Sequence, residues 1–205
     1  MERRPVLCVV AAAASGLAGC TERLPTDLTD GDGATVVGSF DGGPDRPDCA
    51  VESRSIEVTV SNETREYETA ATVPYPDPPT AFDADTVVDW VPAFKEAHVT
   101  HRVLCGRSGS GEIVEIAYAT ERIEVLDGAG DATIVYLRYA GGATAGVDDG
   151  ALWQADIGYS AAAYAVDETG AARVDLDRPI APEHEAFESS FRDPIEEGTL
   201  VAAFD

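Results

Sequence analysis

The residues of this chain best suited to metal chemistry are two histidines and a cysteine near its middle. His98, His101 and Cys105 are three and four residues apart, so a helix would place them on one face. Two imidazoles and a thiolate are ligand types that zinc prefers. Histidines that extend an amphipathic face are, however, more often buried packing residues with hydrogen-bond partners. We therefore predict no metal and keep a zinc site on these three residues as the alternative.

Other motifs match ligand-binding or catalytic loops only in part. The glycine-rich segment 106–111 lacks the Lys-Ser/Thr pair of a phosphate-binding loop and precedes a predicted strand, whereas that loop precedes a helix. It also departs from the Gly-x-Ser-x-Gly pattern of a nucleophile elbow. Asp148, Asp149 and Asp156 carry oxygens that suit calcium, but clustered aspartates are expected in so acidic a chain. We predict no catalytic residues and no cofactor.

The first 19 residues have the three parts of an export signal. Arg3 and Arg4 form a basic start, residues 6–14 are an unbroken apolar run, and residues 15–19 are mostly small. The apolar run is shorter than the roughly 20 residues that a helix needs to span a membrane. These features predict a signal peptide over residues 1–19, and its arginine pair resembles a twin-arginine export signal.

The leader ends in Leu17-Ala18-Gly19-Cys20, which resembles the lipobox of lipoprotein precursors. The resemblance implies that Cys20 becomes the first residue of the mature chain and carries lipid on its sulfur. Cleavage at another small residue, with Cys20 as an ordinary thiol, is the alternative. We therefore expect an exported protein that is attached to the outer face of the cell membrane through Cys20.

Two thiols remain if Cys8 is removed with the leader and Cys20 is lipidated, and these are Cys49 and Cys105. An even pair of cysteines in an exported domain favours a disulfide bond. Such a bond would exclude Cys105 from zinc ligation, and two unpaired buried thiols are the other alternative. We predict that Cys49 and Cys105 are bonded to each other.

Acidic residues dominate the composition. Asp and Glu number 38 against 14 Lys and Arg, the net charge is −24, and Lys95 is the only lysine. The combination resembles proteins of extremely halophilic archaea, in which acidic surfaces and scarce lysine are general. The resemblance implies a life in molar salt, where a Debye length of about 3 Å screens repulsion among surface carboxylates. Such a surface repels nucleic acid, so we predict no nucleic-acid partner.

Composition also divides the chain into segments. Residues 20–47 are rich in Asp, Gly, Thr and Pro, which predicts a flexible, lipid-anchored acidic linker. The remaining residues 48–205 suit a single α+β domain with one hydrophobic core. Within that domain, Asn62-Glu63-Thr64 matches the N-glycosylation sequon in a predicted turn, so Asn62 is a candidate glycosylation site.

Hydrophobic periodicity predicts the order of elements in the domain. Residues 56–60 and 65–73 form a predicted hairpin. A helix is expected from about Thr86 to before Gly106, with Asp83 or Asp85 as its N-cap and a kink or restart at Pro92. Strands are predicted at residues 112–125 with a bulge near 120–122, at 132–139, 153–166, 171–176 and 199–204, and a short helix at 183–191.

The predicted fold is α+β, with one long helix packed on a curved antiparallel sheet, preceded by a hairpin and following a disordered tether. The element order resembles that of cystatin-like and NTF2-like domains over about residues 86–176. A pocket on the concave face of the sheet would be lined by Trp153, Tyr159, Tyr118 and Tyr136, although we favour the same aromatics as plain core. The whole chain resembles exported lipoproteins of halophilic archaea, which implies a location and no activity.

These features lead us to expect a membrane-anchored extracytoplasmic lipoprotein whose domain binds a small ligand or a surface protein without catalysis. An enzyme with an NTF2-like pocket and a purely structural surface lipoprotein are the alternatives. No residue pattern selects a specific activity.

Overall fold

The computed structural model describes residues 35–60, 62–107, 111–127 and 130–204. The predicted leader, Cys20 and most of the predicted linker lie outside these residues. The described elements, after a 3-10 turn at Val37–Ser39, are β1 (Ser55–Val60), β2 (Glu63–Glu68), α1 (Ala84–Cys105), β3 (Glu112–Leu126), β4 (Thr133–Asp148), β5 (Ala151–Gln154), β6 (Tyr159–Asp167), β7 (Gly170–Leu176) and β8 (Thr199–Ala203).

These elements form the predicted α+β fold. Strands β1 and β2 make a separate antiparallel hairpin, and the main sheet has the antiparallel order β3-β4-β6-β7-β8, with β5 paired to the far end of β4. The helix α1 packs on this strongly curled sheet, chiefly against β3 and β4. One helix on a curved antiparallel sheet after a hairpin is therefore confirmed.

The helix α1 begins where its capping signal predicted. The carboxylate of Asp83 accepts a hydrogen bond from the Thr86 backbone N–H at 3.1 Å, which satisfies one of the unpaired donors at the helix start. A single helix continues through Pro92 to Cys105. Its indole donor at Trp90 bonds the carbonyl of Asp77 at 2.8 Å, which fixes the proline-rich segment beside the helix.

The face of the sheet toward α1 carries the largest part of the core. Alternation along β4 sends Val135, Leu137 and Tyr139 to this face and Ile134 and Tyr136 to the opposite face. The helix meets them with an apolar stripe, and β6 contributes alternate residues of its own. The helix side of this cluster consists of Val87, Trp90, Val91, Phe94 and Val99.

The opposite face of the sheet is covered by segments without regular secondary structure. Phe187 and Phe191 from the turn-rich segment 177–198 pack on it, and Val36 is fully buried beside them. The Val36 N–H donates to the Asp167 carboxylate at 2.7 Å. Residues from Val36 onward therefore belong to the packed domain, which begins earlier than the predicted boundary at residue 48.

Two predicted elements were wrong. The expected helix at 183–191 is a chain of turns, because hydrogen bonds from His184, Phe187 and Ser190 each reach back three residues. The expected long strand at 153–166 is divided into β5 and β6, since β5 folds back on the end of β4.

Strand β4 runs nine residues beyond its predicted end at Tyr139, through three glycines and three alanines that weaken the strand signal. Gly146 is required within this extension, since a Cβ there would lie 2.5 Å from the ring of Trp153. The bulge predicted near residues 120–122 is confirmed by a shift of the β3–β4 register between Thr120 and Arg122.

Candidate functional site

Cys49 and Cys105 are bonded as predicted, with Cα atoms 5.9 Å apart. The bond joins the chain ahead of β1 to the last residue of α1. It leaves Cys105 without a thiolate, and His101 donates its Nδ1–H to the Ala97 carbonyl at 2.8 Å. No group of three or more His, Cys, Asp and Glu suitable for a metal is found within the described residues. The alternative zinc set of His98, His101 and Cys105 is not assembled.

The four aromatics proposed to line a concave pocket do not share one surface. Tyr136 is fully buried on the face away from α1, where its ring meets Phe187. Tyr118 packs against the helix-side core, Tyr159 is 53% exposed, and Trp153 lies on β5. Core packing accounts for Tyr136 and Tyr118, and a pocket built on all four residues does not exist.

A cationic cluster lies between the second half of α1 and strand β7. It consists of Lys95, His98, Arg173 and Asp175. The Lys95 side chain has no exposed surface, and its Nζ lies 3.7 Å from the Asp175 carboxylate. The same Nζ is 4.2 Å from the ring centroid of Tyr139, a cation–π distance. The only lysine of a strongly acidic chain is thus buried beside a second cation.

Hydrogen bonding within the cationic cluster fixes the state of its histidine. Arg173 Nη1 donates to His98 Nε2 at 2.5 Å, and its Nη2 pairs with Asp175. A guanidinium can only donate, so His98 Nε2 is an acceptor and the ring proton lies on Nδ1. His98 is therefore neutral in this arrangement.

Burial shifts the protonation equilibria of the cluster. It lowers the pKa of Lys95 to about 7, with Arg173 adding to the effect and Asp175 opposing it. Burial also lowers the pKa of His98 to about 3, and Arg173 again adds to the effect. Burial acts to raise the pKa of Asp175, but Lys95 and Arg173 outweigh it and hold that pKa below its usual value. Near neutral pH, both the ammonium and the amine forms of Lys95 are therefore populated.

A groove of about 690 Å³ opens beside the disulfide. Its walls include two extended segments that Thr72 N–H joins to the Val51 carbonyl at 3.0 Å. The Tyr75 ring stacks on His101 with centroids 4.6 Å apart, and the Arg46 guanidinium lies 4.1 Å from the Tyr75 centroid on the same stack. The groove thus combines an apolar, aromatic surface with one ordered cation.

The chain matches no protein family, no curated protein and no solved structure. A proposal of function therefore rests on this chain's own residues, and the resemblance to cystatin-like and NTF2-like domains stays a prediction. Among the described helices, none is both long and apolar enough to cross a membrane.

Two predicted site residues remain, Asn62 and Cys20. Asn62 is exposed in the turn between β1 and β2 with a φ of 70°, and its glycosylation stays a prediction. Cys20 lies outside the described residues, so its lipidation also stays a prediction.

Sequence reasoning missed the cationic cluster, although a signal for it exists. Lys95 is four residues after Val91 and three before His98, so it belongs to the buried stripe of α1. Arg173 and Asp175 share one face of β7. The available indication was a basic residue within the apolar stripe of α1, together with charged residues at alternate positions of β7.

Proposed function

We propose that this chain is an exported lipoprotein, anchored through Cys20, whose domain binds a small organic ligand in the groove beside the disulfide. The observation that carries the binding proposal is the groove itself, whose volume falls within the 300–1,000 Å³ typical of ligand sites. The location is supported by the leader and the lipobox-like Leu-Ala-Gly-Cys sequence, and the acidic composition supports a setting in concentrated salt.

The groove suits a ligand with an apolar or planar body and one negative charge. Val51, Pro74 and Tyr75 supply the apolar surface, and Arg46 supplies the positive charge. Asp48 and Glu52 also line the groove and repel negative charge, so the ligand can carry only one anionic group and that group must lie at Arg46. A monocarboxylate with an aromatic or aliphatic body satisfies both conditions.

We assign binding to the groove rather than catalysis because its histidine is held in a packing role. His101 donates one ring nitrogen to a backbone carbonyl and stacks against Tyr75, and its side chain is buried. A catalytic base needs a nitrogen within reach of the proton that it moves. A purely structural role of the domain at the cell surface is the second candidate function. In that case the groove should bind no ligand.

Benzoate is the simplest probe of this proposal. We expect saturable binding of benzoate by calorimetry, with benzyl alcohol about tenfold weaker because a hydrogen bond to a charged partner contributes about 1.5–3 kcal/mol. Arg46→Gln should reduce benzoate affinity about tenfold and leave benzyl alcohol unchanged, and Arg46→Lys should recover part of the loss.

Arg178→Gln provides the matched control, since Arg178 is exposed and its loss changes the net charge equally. It should bind benzoate as the wild type does. Circular dichroism checks that the Arg46 variants remain folded, because Arg46 also donates to the Val201 carbonyl at 3.3 Å. Equal affinity for the acid and the alcohol, or an Arg46→Gln variant that binds benzoate normally, would refute the groove assignment.

The anchor is tested separately by the intact mass of protein extracted from membranes. We expect the mature chain to begin at Cys20 and to carry the additional mass of lipid, and Cys20→Ser to abolish both the lipid mass and the membrane attachment. Cys8→Ser is the matched control, because Cys8 lies in the predicted signal peptide and its thiol is removed when that peptide is cleaved. A wild-type chain without lipid mass would contradict the anchor.

A further inference from the structure

We propose that the cationic cluster beneath α1 is a binding site for a small monovalent anion of the class of chloride. This site is separate from the groove, whose lining residues do not include Lys95, His98 or Arg173. The inference therefore goes beyond the proposed function and does not depend on it.

The first argument is that the cluster contains hydrogen-bond donors without acceptors. Lys95 Nζ, His98 Nδ1, Arg173 Nε and Tyr164 Oη are buried and have no hydrogen-bond partner among the described residues. A protonated lysine, an Nδ1–H imidazole and a guanidinium can only donate through these atoms. Buried polar groups are almost always paired in native proteins. Because His98 Nε2 faces Arg173, its Nδ1 points away from Arg173, so the donors available to one bound acceptor are those of Lys95, Arg173 and Tyr164.

The side chains of Lys95, Arg173 and Tyr164 belong to one connected arrangement. Arg173 contacts His98 and Asp175 directly, and Asp175 lies beside Lys95. Tyr164 is the cross-strand partner of Arg173 in the β6–β7 register, which places both side chains on the same face of the sheet. A single small ion at this position would meet donors from the helix and from two strands.

Charge is the second argument. When Lys95 is protonated, the cluster contains two cationic side chains and one carboxylate, and that carboxylate is 50% exposed. Arg102 adds a further positive charge whose field lowers the pKa of Lys95. A buried excess of positive charge is costly unless it is paired, and one monovalent anion would balance it.

Burial restricts the size of the ion. Lys95 and Tyr164 have no exposed surface and His98 is 5% exposed. The cluster reaches solvent chiefly at Asp175, whose side chain is 50% exposed, while the Arg173 side chain is 12% exposed. A monatomic anion therefore suits the site better than a bulky organic one.

Anion binding must be coupled to protonation of Lys95. The charged and titratable groups around its amine are His98 and Arg102 on α1, Tyr139 on β4, Tyr164 on β6, and Arg173 with Asp175 on β7. Within the cationic cluster, Lys95 is the group whose pKa lies near neutrality. An anion stabilises the ammonium form, so linkage requires that the anion also bind more tightly at low pH.

The test replaces potassium gluconate stepwise by potassium chloride at constant ionic strength. Because Lys95 is the only lysine, its side-chain carbon signals in NMR spectra report one residue. We expect chloride to raise the measured Lys95 pKa saturably by one unit or more, which corresponds to at least tenfold tighter binding to the protonated form. Thermal unfolding at pH 6 should show a saturable, chloride-dependent rise in Tm.

Three variants complete the test. Tyr164→Phe removes one donor and should weaken chloride binding several-fold while the Lys95 signal remains as the readout. Lys95→Met should lose the chloride-dependent rise in Tm, and Arg178→Gln should retain it. The proposal is overturned if the Lys95 titration is identical in gluconate and chloride, or if Lys95→Met keeps the full chloride response.

Discussion

Replacing Lys95 by methionine should stabilise the protein at pH 6.5 and remove a rise in stability that the wild type shows toward pH 9.5. The Lys95 pKa is about 7 in the folded protein and 10.5 in the unfolded chain, so between these values the unfolded chain binds more protons. Stability of the wild type therefore increases with pH through this window, and the penalty for burying the ammonium is fully present below pH 7.

The two pKa values correspond to a difference of about 5 kcal/mol between pH values well below 7 and well above 10.5, which is an upper limit because a buried site relaxes around a charge. Methionine fills a similar volume and does not titrate, so Lys95→Met should show a flatter profile over the same range. At pH 9.5, one unit below the lysine pKa of the unfolded chain, about 1.4 kcal/mol of this penalty still remains. The gain from the substitution should therefore be largest below pH 7 and should shrink steadily toward pH 9.5.

Urea unfolding between pH 6.5 and 9.5, in potassium gluconate, measures this directly. Arg178→Met is the matched control, since it removes one exposed positive charge and should run parallel to the wild type. Parallel profiles for the wild type and Lys95→Met would show that the lysine titrates normally. Chloride should reduce the difference between the two proteins at pH 6.5, because a bound anion would offset the penalty of the ammonium.

Loss of the disulfide should lower the free energy of unfolding by about 4 kcal/mol. Cys49 and Cys105 are 56 residues apart in sequence, and the chain-entropy model assigns about this value to a closed loop of that length. The bond also holds the segment that walls the groove against the end of α1. Benzoate binding should consequently weaken even under conditions in which the reduced protein remains folded.

Denaturant unfolding of the wild type with and without reductant gives the value, and the double variant Cys49→Ala, Cys105→Ala gives it without reductant. The variant also serves as the control, because reductant should not change its stability. If the double variant unfolds at the same denaturant concentration as the oxidised wild type, the bond does not contribute as expected.

Local patterns predicted the parts of the fold that local physics determines. The cap at Asp83 and the apolar spacing of Val87, Val91 and Phe94 define α1 without help from the rest of the chain. The change of alternation in β3 indicated the bulge near Thr120, because a bulge exchanges the two faces of a strand.

The parts that failed depend on distant partners. Residues 183–191 have a helix-like spacing of Phe187 and Phe191, yet the turns there follow the shape of the sheet face that they cover. Val36 was assigned to a linker because its neighbours are polar, and the partners that explain its docking, Asp167 and an apolar cluster on the sheet, lie about 100 or more residues away in sequence. The cationic cluster was missed for the same reason, since its members meet only when α1 lies across β7.

The docking of Val36 and the position of the disulfide also determine how the domain would bear mechanical load. A pull on the chain ahead of Val36 would act first on its bond to Asp167 and could then peel residues 36–48 from the sheet. Peeling must stop at Cys49, because that residue is covalently joined to Cys105. Tension would then pass directly to the end of α1 and bypass the β1–β2 hairpin, so shear at a surface would be borne by the helix and its sheet.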